Sequence, residues 1–228
     1  MGWTALRQSV DRLLGFLVFP RETLFLSTMR RPPGWINFAD SLFLYASAKH
    51  GGGKGWIVEI GSYKGLSTTY LALGTLSSNG GRVLACDPHS EGTYDEFKKN
   101  MRSFGVEKTV EPAVMTSEKR AASWQEPVRF LWIDGDHSKS GAQTDVRLWS
   151  KHLVPGGIIA FHDYAYEGPG GVFREEILSS PDFCNAGYLS NIAYASKKFC
   201  TNPKLFERFR FLEKIRAPFA LWARKRLG

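Results

Sequence analysis

Acidic residues and histidines follow four separate apolar runs of this sequence, and these are the residues best suited to chemistry. Glu59 ends the first run and Asp87 ends the second, while Asp134 and His162 stand at the ends of two later runs. Parallel strands present their carboxyl ends at one edge of a sheet, and ligands bind at that edge. The pattern therefore predicts one site built from four strand ends.

The turn after the first run, residues 59–65, favours a nucleotide-containing ligand other than a dinucleotide. Gly61 and Gly65 permit a tight turn and a close approach of the backbone to a ligand. A dinucleotide-binding turn has three glycines in Gly-x-Gly-x-x-Gly spacing, and Tyr63 stands here in place of the middle one. An acidic residue two positions before the first glycine suits a cationic ligand, and Asp87 could accept hydrogen bonds from both hydroxyls of a ribose.

The two later groups combine carboxylates with imidazoles. They read Ile133-Asp134-Gly135-Asp136-His137 and Phe161-His162-Asp163-Tyr164. Packing alone would rarely place such residues together, because buried carboxylates are costly unless they are paired. We therefore predict a functional role for both groups. Two alternatives stay open: His137 could cap a helix that begins near Ser138, and His162 could have a structural or substrate-orienting role.

The segments between these groups alternate between strand-like and helix-like patterns. Strands are predicted at residues 56–60, 82–87, 109–113, 130–134 and 158–161, and helices at 66–76, 94–104 and along a stripe formed by Ala142, Val146, Trp149 and Leu153. Residues 188–199 favour a terminal hairpin or an antiparallel edge strand. This alternation is typical of an α/β, Rossmann-like, doubly wound fold with a mostly parallel sheet.

The N-terminal region predicts a helical cap over residues 1–54. Residues 3–19 and 37–48 have helical apolar spacing, and an irregular region that contains two adjacent prolines follows Pro20. The ligand-binding domain is predicted to span residues 55–200.

The tail, residues 201–228, predicts a basic amphipathic helix that is bent or restarted at Pro218. We expect its apolar stripe to pack on the domain or on a partner subunit; contact with a membrane surface or an anionic polymer is the alternative. Residues 197–228 contain ten basic and two acidic residues and the rest of the chain twenty of each, so the net charge of +8 lies in residues 197–228. This distribution disfavours a basic face for duplex nucleic acid on the body of the fold.

Cysteine usage and the apolar run at residues 13–19 bear on location. Cys86, Cys184 and Cys200 are odd in number and widely spaced, so neither a disulfide framework nor a zinc site is indicated, and we expect a cytoplasmic protein. The apolar run is too short to span a bilayer, and Leu6 stands where a myristoylation signal would have Ser or Thr. We expect no transmembrane segment and no lipid anchor.

Together the four groups resemble small class I S-adenosylmethionine-dependent methyltransferases of the family that includes macrolide-sugar and other natural-product O-methyltransferases. The resemblance covers residues 56–164 and implies a seven-stranded sheet with an antiparallel edge strand. It also implies that S-adenosyl-L-methionine contacts Glu59, Gly61, Ser62, Tyr63, Gly65, Ser67, Asp87, Thr116 and Asp134.

The resemblance further implies a divalent metal, magnesium or manganese, on Asp134, His162 and Asp163, with His137 as the general base and Asp134 beside it in catalysis. His162 stands where members of the family carry an acidic residue. Magnesium prefers oxygen ligands. Manganese or another softer metal therefore replaces magnesium, or His162 turns away, or metal dependence is lost.

The expected acceptor is a hydroxyl of a saccharide or another small natural product, with Trp35 and Tyr45 as candidates for stacking on sugar faces, although core packing is the commoner fate of an aromatic residue. A homodimer through the cap is a further expectation. Three alternatives stay open. A nucleic-acid methyltransferase would rest on the tail alone, and a nicotinamide-dependent short-chain-type dehydrogenase on Tyr94 and Lys98. The third is a non-catalytic binding module.

Overall fold

The computed structural model describes residues 3–31, 34–78, 80–199 and 202–227. Cys200 and the prolines at positions 32 and 33 lie outside the described residues. The other two cysteines are free thiols.

Seven strands within the described residues form one sheet. They are β1 (Trp56–Ile60), β2 (Val83–Cys86), β3 (Val110–Ala113), β4 (Val128–Ile133), β5 (Leu153–Phe161), β6 (Phe183–Leu189) and β7 (Ile192–Lys197). The spatial order is β3-β2-β1-β4-β5-β7-β6. The first five strands pair in parallel, and β7 runs antiparallel to both β5 and β6. The predicted mostly parallel sheet and the predicted hairpin are confirmed.

Helices cover both faces of the sheet. They are α1 (Trp3–Val18), α2 (Pro20–Thr28), α3 (Phe38–His50), α4 (Leu66–Leu76), α5 (Tyr94–Ser103), α6 (Ser117–Ala121), α7 (Lys139–Trp149), α8 (Glu167–Val172), which continues as a π-helical turn over Phe173–Leu178, and α9 (Pro203–Leu227). Side chains of neighbouring strand residues point to opposite faces of the sheet and belong to two separate hydrophobic cores. Ile57 packs with α3, α4 and α9, whereas Val58 packs with α7 and α8. Strands buried on both faces explain the continuous apolar runs of the sequence.

Two local expectations are wrong. The region after Pro20 begins with a helix, Pro20–Thr28, because proline is well tolerated at the first helical position, where its missing N–H is not needed. Among the described residues between that helix and α3, residues 29–31 and 34–37 are irregular, as predicted. Leu153 does not lie on α7: that helix ends at Trp149, a 3-10 turn follows, and Leu153 opens β5 as a buried residue. The apolar spacing correctly predicted that Leu153 is buried, but it wrongly placed Leu153 on a helix instead of a strand.

The C-terminal helix packs on the domain, as its apolar stripe predicted. Leu205, Phe206, Phe209 and Leu212 are buried, and α9 contacts α1, α3 and β6. The helix continues past Pro218 to its end rather than restarting there. It is therefore an integral part of the core on that face of the sheet.

We expect Phe209→Ala to lower the free energy of unfolding by about 3–5 kcal/mol. The Phe209 ring is fully buried and lies 4.6 Å from the Phe43 ring and 5.3 Å from the Phe19 ring, so its removal leaves a cavity between α9, α3 and the end of α1. Urea denaturation of both proteins measures the difference.

Phe211→Ala is the matched control. Phe211 lies two residues further along the same helix and is 53% exposed, so its truncation should change the unfolding free energy by less than about 1 kcal/mol. Equal losses for the two variants would show that α9 does not pack as described.

Candidate functional site

A cavity of about 670 Å³ opens at the carboxyl ends of β1, β2, β4 and β5, and residues 34–36 of the cap complete its wall. The strand order changes direction between β1 and β4, which is where an open parallel sheet forms its ligand crevice. The volume suits a small organic ligand. All four polar groups singled out in the sequence contribute residues to this one cavity.

Most of the predicted cofactor residues line the cavity. They are Gly61, Ser62, Tyr63, Ser67, Asp87, Thr116 and Asp134. Glu59 and Gly65 are not among the lining residues. Gly65 is the N-cap of α4 and has a left-handed conformation with φ of 85°, which glycine adopts without strain. It therefore contributes to the backbone of the turn rather than to the cavity wall.

The turn after β1 is held against the ends of β2 and β4. Gly61 has φ of 88°, and a Cβ atom there would lie 2.1 Å from the carbonyl oxygen of Asp134, so only glycine fits. The backbone N–H of Tyr63 donates to Asp87 Oδ2 at 2.7 Å, and the N–H of His89 donates to Oδ1 at 2.7 Å. Asp87 is thereby fixed, and a carboxylate can accept further hydrogen bonds.

Glu59 lies behind this turn and is fully buried. The hydroxyl of Thr68 donates to Oε2, and Oε1 has no hydrogen-bond partner within the described residues. Burial raises the pKa of Glu59 to about 8, although hydrogen bonds from Ser67 and Thr68 lower it in part. A neutral carboxylic acid is therefore favoured at pH 7 without ligand, whereas the expectation that this residue suits a cationic ligand requires a charged carboxylate.

Two carboxylates and an imidazole converge where β4 and β5 end. His162 Nδ1 lies 3.2 Å from Asp134 Oδ1 and 3.4 Å from Asp163 Oδ2. One donor atom from each of the three residues lies within 4.8 Å of the others, which is compact enough for a metal ion. His137 approaches the group from the next loop, with Nε2 3.8 Å from an oxygen of each aspartate.

A third carboxylate, which the sequence reasoning missed, reaches His162 from the cap. Asp40 is buried on α3 and its Oδ2 lies 3.5 Å from His162 Nε2. The capping box with Asn37 and the backbone N–H of Asn191 hold Asp40 in place. The Asn-x-x-Asp spacing signals the capping box, but nothing in it signals contact with a residue 122 positions away.

His162 faces these carboxylates rather than turning away from them. Burial alone would lower the pKa of His162, but hydrogen bonds to Asp134, Asp163 and Asp40 outweigh it and raise that pKa to about 12. The pKa of Asp163 is lowered, first by its bond to His162. In the absence of another cation, the protonated imidazole balances the surrounding negative charge.

Aromatic side chains form part of the rim and of the core. Trp35 is 82% exposed, lines the cavity, and stacks on the ring of Tyr63 at a centroid distance of 5.1 Å. Tyr166, which the sequence reasoning did not single out, stacks on His137 at 5.5 Å. Tyr45 belongs to the core: it is buried and its hydroxyl donates to Ser77. Of the two predicted stacking residues, only Trp35 is accessible.

The region that builds the cavity also matches a known family. Residues 58–164, which run from β1 through the loop after β5, match the family model of a methyltransferase domain. Residues 58–164 of this chain are therefore similar to a methyltransferase domain. The sheet order and the cavity at the switch point belong to the same fold.

Solved structures of methyltransferases share this fold. An O-methyltransferase from Bacillus cereus in complex with SAH has a TM-score of 0.64 and 21% identity over 85% of this chain and 100% of its own. An rRNA methylase from Streptococcus thermophilus has 0.55 and 18%, covering 75% and 99%. A methyltransferase from Geobacter sulfurreducens has 0.56 and 16%, covering 80% and 98%. At these identities the likeness shows the fold alone.

Two further expectations can be compared with the structure. Tyr94 and Lys98, the pair that imitated a dehydrogenase site, lie on α5 outside the cavity, with the Lys98 ammonium 4.5 Å from the Tyr94 ring centre. The described part of the chain contains no helix with the length and apolar character needed to cross a membrane.

We expect the melting temperature of Glu59→Gln to fall less than that of wild type as the pH rises from 6 to 9. Folding raises the pKa of Glu59 from about 4.5 to about 8, so its contribution to stability is present at low pH and disappears as pH rises through that range. Glutamine stays neutral throughout. At pH 9 the ligand-free variant should melt roughly 5 °C higher relative to wild type than it does at pH 6.

Glu107→Gln is the control, since Glu107 is exposed and should leave the pH dependence unchanged. If the melting temperatures of wild type and Glu59→Gln differ by the same amount at every pH, the pKa of Glu59 is not raised.

Proposed function

We propose that this methyltransferase transfers the methyl group of S-adenosyl-L-methionine to a hydroxyl of a saccharide or another small natural product. One observation carries the proposal: His137, Asp134, His162 and Asp163 meet in the same cavity as the turn after β1 and Asp87. A base and a carboxylate cluster beside a nucleotide-type site suit proton removal from a hydroxyl that attacks a methyl group.

The cofactor would lie along the ends of β1, β2 and β3. We assign Asp87 to the ribose hydroxyls, and Gly61, Ser62 and Ser67 to the methionine end. Ser62 supports this, because its hydroxyl is buried without a partner in the described structure, as a group awaiting a ligand would be. Thr116 is assigned to the adenine end; it is the N-cap of α6 and faces the same cavity.

His137 is proposed as the general base. Its side chain is partly exposed to the cavity, and the bond to Asp134, followed by the charge of Asp163, raises its pKa. Neighbouring carboxylates stabilise the imidazolium that forms when Nε2 takes the hydroxyl proton. The oxygen then attacks the methyl carbon in line, the carbon–sulfur bond breaks, and S-adenosylhomocysteine leaves with the methylated product.

The donors around His162 fit a divalent metal softer than magnesium. Adjacent ligands of an octahedral ion lie about 3 Å apart, close to the distances from His162 Nδ1 to the two aspartates. The carboxylate of Asp40 on the opposite ring nitrogen would orient the imidazole, as carboxylates do behind metal-bound histidines. When bound, such an ion would lower the pKa of the acceptor hydroxyl. An imidazole among the ligands favours manganese over magnesium.

The acceptor is proposed to lie between the rim of the cavity and His137. Trp35 presents an exposed indole face at that rim, and aromatic faces of this kind pack against the apolar faces of sugar rings. The loop that carries Trp35 belongs to the cap, so the cap would contribute to acceptor choice.

A nucleic-acid acceptor has weaker support, because part of the basic charge of the tail is used internally. Arg216 is buried and paired with Glu213, and the Arg208 guanidinium lies over the Phe19 ring and donates to the Val18 carbonyl. Deleting α9 would expose the core, so exchanging exposed cations such as Lys204 for glutamine is the sounder test of this alternative.

We expect His137→Ala to lower kcat roughly 10²–10⁴-fold while S-adenosylhomocysteine affinity stays within about twofold. His137 would act on the acceptor proton and not on the cofactor. Turnover is measured as S-adenosylhomocysteine release with a panel of hydroxylated saccharides, and affinity by calorimetry.

His152→Ala serves as the control, because this histidine follows α7 and does not line the cavity. Wild-type protein should bind S-adenosylhomocysteine and not NAD. Full turnover in His137→Ala would rule out His137 as the general base. If wild-type protein does not bind S-adenosylhomocysteine, the assignment of the cofactor is wrong.

Calorimetry with metal salts tests the carboxylate and imidazole site directly. We expect wild-type protein to bind Mn²⁺ roughly tenfold more tightly than Mg²⁺, because imidazole is a ligand. Asp163→Asn should remove most of the Mn²⁺ affinity, and Asp182→Asn, an exposed aspartate elsewhere, should change nothing. A folded wild-type protein that binds neither ion would exclude metal assistance at this site.

A further inference from the structure

The outer surface of the first two helices exposes large apolar side chains that no described part of the chain covers. Leu13 and Leu17 on α1 are 68% and 71% exposed, Leu24 on α2 is 57% exposed, and Phe16 is partly exposed. On α1 the spacing of these residues puts them on one side of the helix. We call this surface, with the flanking Arg12 and Arg21, the α1–α2 face.

Every exposed charge on α1 and α2, among the described side chains, is an arginine. The two acidic residues of these helices are buried: Asp11 lies 3.8 Å from Arg216, and Glu22 pairs with Lys49. Arg12 and Arg21 are exposed. The α1–α2 face is therefore apolar and cationic, with its carboxylates directed inward.

The basic C-terminal helix joins this surface at the junction of α1 and α2. The guanidinium of Arg208 lies 3.9 Å from the Phe19 ring centre and donates to the Val18 carbonyl. Exposed side chains of α9 include three cations, two large apolar residues and one acid, which are Lys204, Arg210, Lys214, Phe211, Leu221 and Glu207. The helix that packs against α1 therefore carries further exposed positive charge.

We propose that the α1–α2 face docks on an anionic lipid surface. Leucine and phenylalanine side chains enter the boundary between headgroups and acyl chains, and arginines beside them contact lipid phosphates and carboxylates. A second copy of the chain fits this face less well, because symmetric contact would bring Arg12 and Arg21 against like charges with no exposed carboxylate on these helices to pair with them.

Co-sedimentation with vesicles tests the proposal on the full chain. We expect binding to vesicles of phosphatidylcholine mixed with phosphatidylserine, little binding to phosphatidylcholine alone, and weaker binding at high salt. Leu13→Gln combined with Leu17→Gln should reduce binding to the mixed vesicles, because it removes the side chains that enter the membrane. Arg12→Gln combined with Arg21→Gln should weaken binding to the same vesicles roughly 30-fold, which corresponds to about 1 kcal/mol per charge.

Matched controls carry the same kinds of change elsewhere. Leu76 and Leu178 are exposed leucines away from the face, and Arg147 is an exposed arginine on α7; glutamine at these positions should leave vesicle binding unchanged. Far-ultraviolet circular dichroism verifies that each variant folds.

Two results would overturn the proposal. One is wild-type protein that does not bind the anionic vesicles, or that binds them equally well after the leucine substitutions. The other is self-association in sedimentation velocity that Leu13→Gln with Leu17→Gln abolishes while vesicle binding is absent, which would assign the face to a homodimer. Neither result bears on S-adenosylhomocysteine binding, so the proposed function is tested separately.

Discussion

Charge balance around the imidazole of His162 constrains the whole site. The three carboxylates that surround it come from α3, from the end of β4 and from the loop after β5. Asp40 is fully buried, and a buried carboxylate without a cation costs several kcal/mol. The cap must therefore sit where Asp40 reaches His162, and β4 and β5 must end in register. His137 is tied to the same arrangement, because it approaches the same two aspartates.

The turn after β1 is the second constraint, and it is steric rather than electrostatic. Gly61 passes so close to the carbonyl of Asp134 that the β1 and β4 loops act as one wall. The Tyr63 N–H of the same turn donates to Asp87, which follows β2. This hydrogen bond fixes the end of β2 relative to the turn. A ligand in this cavity therefore meets surfaces that are fixed before it arrives, which lowers the entropy lost on binding.

Much of this organisation was predictable, since buried parallel strands and the polar residues at their ends leave a strong local pattern. The order of elements and the convergence of Asp87, Asp134 and His162 followed from that pattern. Contacts between distant segments could not be predicted in this way, because the spacing around Asp40 indicates only a helix cap. The local pattern at Pro20 was also misleading, because it suggested a break where a helix begins. The burial of Glu59 behind the turn was equally invisible, because the identity of a residue does not reveal which side of a loop it occupies.

The contact between Asp40 and His162 makes the cap a component of the chemistry as well as a cover. A chimera that joined these strands to a cap from a related protein would have to retain an acidic residue at this position of α3. Without it, the imidazole would lose the partner on Nε2 and with it a fixed orientation toward Asp134 and Asp163. Exchange of acceptor preference between such proteins by cap grafting is therefore limited to segments outside α3, and the loop that carries Trp35 is the accessible place to begin.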